Sequence, residues 1–97
     1  MSKESYGFPG GRFPLGEMVI STAADEKISR RDIVQGLIQH SDCDWGYLSD
    51  DDAAANERAL DDDGRLMSVY HDSKGTAFWV ITEADRSATT VLLPDDY

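Results

Sequence analysis

From Leu66 to Leu93 the chain alternates with a two-residue period, interrupted by turn chemistry, and this stretch limits the fold more than any other. Leu66, Ser68 and Tyr70 alternate with Met67, Val69 and His71. After Asp72-Ser73-Lys74-Gly75, the residues Ala77, Trp79 and Ile81 alternate with Phe78, Val80 and Thr82. Successive strand side chains point to opposite faces, and the Asp-Ser-Lys-Gly link is turn chemistry that folds a hairpin. Glu83–Ser87 forms a second turn, and Ala88–Leu93 reads as a third strand that Pro94 stops. The pattern predicts a three-strand meander over Leu66–His71, Thr76–Thr82 and Ala88–Leu93.

The residues before Leu66 carry helical signals. Glu17–Thr22 is a short β-prone run and the expected first strand. Ser29 followed by Asp32 resembles a capping box, and Ile33, Val34, Leu37 and Ile38 make one apolar helical face, so a helix is expected at about 29–40. Gly36 within it costs roughly 1 kcal/mol of helix propensity relative to Ala. Ser49 can cap a second helix that starts with Asp50, Asp51 and Asp52, acids suited to the positive end of the helix dipole. Asp61-Asp62-Asp63 sits at the opposite, negative end, where acids oppose the dipole, and Gly64 suits a left-handed cap. Residues 1–16 hold four Gly and two Pro with Tyr6, Phe8 and Phe13 interleaved, a stretch that cannot hold a helix. It reads as an extended arm whose aromatics dock onto the domain or contact a partner. The expected architecture is therefore α+β: one domain over 17–97 in the order β-α-α-β-β-β, an antiparallel sheet with two helices on one face.

Charge is distributed unevenly. Between Asp42 and Asp63 stand nine carboxylates (Asp42, Asp44, Asp50, Asp51, Asp52, Glu57, Asp61, Asp62 and Asp63) against one cation, Arg58. That block holds −8 of the chain's net −10. An acidic surface repels nucleic acid and anionic membrane and attracts basic surfaces, so direct nucleic-acid binding is not expected. No apolar run approaches the length of a membrane span, the first residues carry no signal-peptide pattern, and Cys43 alone cannot form an internal disulfide. These features read as a soluble cytoplasmic protein.

Candidate chemistry is sparse. His40-x-x-Cys43 with His71 has the residue types of a zinc site but lacks a second close pair, and the structural alternative is a helix-terminal His beside a small buried Cys. The Asp42–Gly46 and Asp61–Gly64 segments do not match a calcium loop. A thiol nucleophile at Cys43 is opposed by the surrounding acids, which raise a thiol's pKa. No hydrolase, metalloprotease or phosphate-loop motif is present, so the expectation is a non-enzyme without cofactor or metal. One function does match the acidic block. A helix rises ~1.5 Å per residue and duplex DNA shows one charge per ~1.7 Å, so acids at 50, 51, 52, 57, 61, 62 and 63 can imitate a short phosphate track. The plainer alternative is a solvated face that aids solubility.

Asn56, Ala59-Leu60, Gly64-Arg65-Leu66 and above all Phe78–Pro94 with Tyr97 resemble a family of short bacterial proteins labelled only as plasmid-related, found on plasmids and integrative elements. The resemblance runs from about Phe13 to the end. It supplies no catalytic residue and implies a setting, mobile DNA inside a bacterium. In size, charge and lack of catalytic motif the chain is similar in type to small acidic anti-restriction and anti-CRISPR proteins. The expected partner is then a basic surface of a nucleic-acid-binding defence complex, met by the nine acids, with Trp45 or Tyr47 as a central anchor. The alternative is an accessory or regulatory module of a mobile element, acting as a homodimer through Trp79, Phe78 and Tyr70.

Overall fold

The structure, a computed structural model, describes residues 11–97. The elements run β1 (Glu17–Ile20), α1 (Thr22–Lys27), α2 (Arg30–Ser41), α3 (Asp50–Asp62), β2 (Leu66–His71), β3 (Ala77–Thr82), β4 (Ala88–Leu92) and a 3-10 turn at Pro94–Asp96. The class is α+β. The capping serines act as their spacing predicts: Ser29 Oγ accepts from the Asp32 N–H at 3.2 Å and Ser49 Oγ from the Asp52 N–H at 3.1 Å.

The sheet order is β1-β4-β3-β2. β2 and β3 pair antiparallel, as do β3 and β4, but β1 lies parallel to β4 in the register Glu17↔Ala88 to Ile20↔Val91. The sheet is therefore mixed, not wholly antiparallel as expected. The three helices carry the chain from β1 across to β2 at the far edge, and the β2-β3-β4 meander then returns to place β4 beside β1 in parallel. The helix α1 is additional to the two expected. Ser21 leaves the strand and caps it, accepting from the Ala24 N–H at 3.1 Å, so β1 ends at Ile20 rather than Thr22. Six residues are too few to display a helical period.

One sheet face carries the core. Tyr70, Phe78, Val80 and Val91 pack against Ala24, Ile28, Ile33 and Leu37 from the helical layer. Gly36 is needed there. A Cβ on it would stand 2.9 Å from Phe78 Cε2 and 3.2 Å from Tyr70 Cδ2, so its missing side chain lets α2 approach the sheet closely. A second cluster joins Phe13, Leu15, Trp45, Ala59 and Leu66. Phe13 thus docks onto the domain, one of the two readings of the arm, and Leu15 joins it in the core, while Tyr6 and Phe8 lie outside the described residues. Phe78 and Tyr70 are buried at 1% and 4% exposure, which removes them from the expected surface patch. Trp79 is half-buried, with its ring edge-on to Tyr97 at 5.2 Å. Among the described residues no helix is long and apolar enough to cross a membrane.

Candidate functional site

The acidic block spans two structural pieces, a fastened loop and a helix. The loop follows α2. Gly46 takes φ +76°, and a Cβ there would collide with the Val69 carbonyl oxygen, so only glycine allows the loop to run against the β2 edge. The Tyr47 N–H then donates to Val69 O at 2.8 Å and the Val69 N–H donates to Trp45 O at 3.2 Å. Tyr70 adds a hydroxyl bond to Asp44 O at 2.5 Å.

Trp45 is only 6% exposed. Its indole N–H donates to Glu57 Oε2 at 2.9 Å, and its ring lies near Phe13 and edge-on to His40. This corrects the expectation of Trp45 as a surface anchor, because it ties the loop to α3 from inside. Tyr47 is 67% exposed and stacks on His71 with centroids 4.1 Å apart.

The helix α3 buries Asn56 and Ala59 and turns its acids outward. Asn56 covers the β2 edge: its amide donates to Met67 O at 2.7 Å and its Oδ1 accepts from the Met67 N–H at 3.2 Å. At about 100° per residue, Asp50, Asp51, Glu57, Asp61 and Asp62 fall within an arc of roughly 140° along a length of about 18 Å. All nine acids of the block are exposed. Among the described residues the one ion pair is Arg30 with Asp25 at 3.3 Å, so no cation neutralises the block by direct pairing. Among the described residues Asp44 has polar partners, accepting from Gln39 Nε2 at 3.0 Å and from the Gly46 N–H at 3.3 Å.

The negative pole of α3, though not its acids, has a cation bound to it. Arg86 Nη1 donates to Gly64 O at 2.6 Å, and Nη2 donates at 3.1 Å to Ala59 O, which also accepts from the Asp63 and Gly64 N–H groups, so a cation sits at that pole. Asp63, not Gly64, takes the left-handed cap, with φ 56°. Beside this end Arg12, Phe13, Pro14, Glu57, Leu60, Asp61, Asp63 and Arg86 line an open cleft of about 520 Å³.

The His40 and Cys43 readings meet different surroundings. His40 is fully buried within a chain of hydroxyls. Thr89 donates to Leu15 O at 2.7 Å, which commits its proton; Thr82 must then donate to Thr89 across 2.7 Å. Thr82 is left only as an acceptor for His40 Nε2 at 2.9 Å, so the ring carries its proton on Nε2 and its Nδ1 accepts from Ser68 Oγ at 2.6 Å. Burial, and secondarily the Arg86 charge, hold this imidazole neutral with a pKa lowered to about 3. Both ring nitrogens are occupied, so His40 has none to offer a metal or a thiol. Burial raises the Cys43 thiol above its ordinary range; Arg12 opposes this, and Glu57 and Asp42 push it further up. The acids, expected to be the main cause, come second to burial. His71 lies apart from both, at the surface against Tyr47. Among the described residues no three His, Cys, Asp or Glu side chains gather as a metal site. The roles of Arg86 and the hydroxyl chain had no signal in the sequence, because their partners are backbone carbonyls and distant threonines.

No protein-family model, curated protein or solved structure matches this chain.

Proposed function

We propose that this chain is a non-catalytic binding protein whose acidic face occupies a basic, nucleic-acid-binding surface of another protein and excludes the nucleic acid from it. The observation that carries this reading is the state of the block: nine exposed carboxylates from Asp42 to Asp63, with no direct ion pair to them among the described residues. Unpaired surface charge of one sign is available to a partner, and it accelerates encounter with a surface of opposite sign. Five of the acids share one side of a rigid helix, a spacing that suits a row of phosphate-binding Lys and Arg. In the setting that the resemblance implies, the partner is a host defence complex and the protein its stoichiometric inhibitor, of the anti-restriction or anti-CRISPR type.

The test is capture of partners from a bacterial lysate at low and high salt, with competition by duplex DNA. Electrostatic capture weakens steeply with salt, since the screening length falls from about 10 Å at 0.1 M to about 3 Å at 1 M. A captured protein that DNA displaces, and that is lost with both D50N/D51N/D52N and D61N/D62N, supports the reading. Capture that survives both folded variants, or that duplex DNA leaves untouched, refutes it.

A further inference from the structure

We propose that the Tyr47–His71 pair, in the loop that leads into the acidic helix, is an arginine-specific seat, so that the partner surface is read by arginine stacking and not by net charge alone. This rests on the electrostatic reading above and adds a residue-level requirement to it. Tyr47 is the most exposed large aromatic of the block, at 67%, and one face of its ring is already occupied by His71 at 4.1 Å with an interplanar angle of 19°. At that exposure much of the ring remains accessible to solvent.

A solvent-exposed tyrosine ordinarily samples several rotamers, and ordering it on binding costs affinity. Here that freedom is already restricted. The backbone at 45–47 is bonded to Val69 on both sides, Gly46 lets it lie against the strand, and the stack on His71 holds the ring. A pre-set aromatic of this kind has the character of an interface anchor.

The surroundings select the occupant. Asp44, three residues before Tyr47, and Asp50, three residues after, are both exposed, and Asp51 and Asp52 continue the series. Asp44 is held in place by Gln39 and by the Gly46 N–H. A guanidinium is planar, stacks on an aromatic face and offers parallel N–H pairs to a carboxylate at the same time. An ammonium is a compact, strongly hydrated charge that meets the carboxylates without using the ring plane. Arginine is therefore the side chain that uses every part of this seat.

The probes are nona-arginine and nona-lysine peptides, titrated at low salt against the intact protein and three variants. Tyr47→Leu keeps apolar bulk and removes the ring, and is expected to lower nona-arginine affinity about fivefold while nona-lysine changes less than about twofold. Tyr47→Phe keeps the stack and is expected to bind both peptides as the parent does. The D50N/D51N/D52N variant is expected to weaken both peptides together. Equal loss of the two peptides in Tyr47→Leu overturns the arginine seat and leaves the electrostatic reading standing. Failure of the parent protein to bind either peptide overturns both.

Discussion

Acidification from pH 7 to pH 5 is expected to destabilise this protein through one buried side chain. His40 is fully buried as the neutral Nε2–H tautomer between Ser68 and Thr82, and its pKa lies near 3 instead of 6.5. The folded pKa is below the unfolded one, so on acidification the unfolded chain takes up the proton first. The stability contributed by neutral His40 is thus complete above pH 6.5 and is lost as the pH falls from there toward about 3. At ~1.36 kcal/mol per pKa unit the full effect approaches ~5 kcal/mol, of which roughly 2 kcal/mol is gone by pH 5. That is a large fraction of a typical domain stability of about 5–15 kcal/mol. The carboxylates of Asp32, Asp85 and Asp96, lowered by hydrogen bonds from Ser73, Ser87 and Ser21, contribute their own losses at more acid pH. Urea unfolding followed by tryptophan fluorescence at pH 7 and pH 5 measures the change. His40→Gln is expected to be less stable at pH 7 and nearly flat between the two. Imidazole nitrogen NMR gives the decisive check: His40 should remain the Nε2–H tautomer well below pH 5. A titration of His40 near 6.5, or equal stability of the parent protein at the two pH values, would refute the tautomer argument.

Three substitutions test other parts of the fold. Asp63→Gly relieves a left-handed non-glycine residue and is expected to raise stability by about 0.5–1 kcal/mol in urea unfolding, with a fall showing that the cap needs its side chain. Gly36→Ala gains helix propensity but drives a methyl against Phe78 and Tyr70, so a net loss of about 1–2 kcal/mol is expected; a higher melting temperature would mean that α2 can move outward freely. Arg86→Gln removes the guanidinium from the Ala59 and Gly64 carbonyls and is expected to cost about 2–3 kcal/mol, with faster amide exchange in the last turn of α3. Unchanged exchange there would show that Arg86 does not cap the helix.

Local signals were legible where they act within a few residues. The period of Ile33, Val34, Leu37 and Ile38 and the cap at Ser29 locate α2 to within a residue or two, and the alternation of Leu66–His71 and Thr76–Thr82 locates the hairpin. The exposure of all nine acids likewise follows from the cost of burying unpaired charge. Trp45 and Tyr47 show the limit. They are two residues apart with similar chemistry, yet one is in the core and the other on the surface, because the turn at Gly46 sends their side chains to opposite sides of the β2 edge.

The amino-acid sequence alone determined the α+β class, the main capping residues and the concentration of charge between Asp42 and Asp63, since propensity, periodicity and desolvation operate locally. The tertiary structure alone decided that β1 joins β4 in parallel, that Phe13 and Leu15 enter the core, and that Arg86 and the Ser68–His40–Thr82–Thr89 chain link distant segments. Those outcomes depend on contacts between residues far apart in the chain, whose closure entropy is offset only by packing of the whole core.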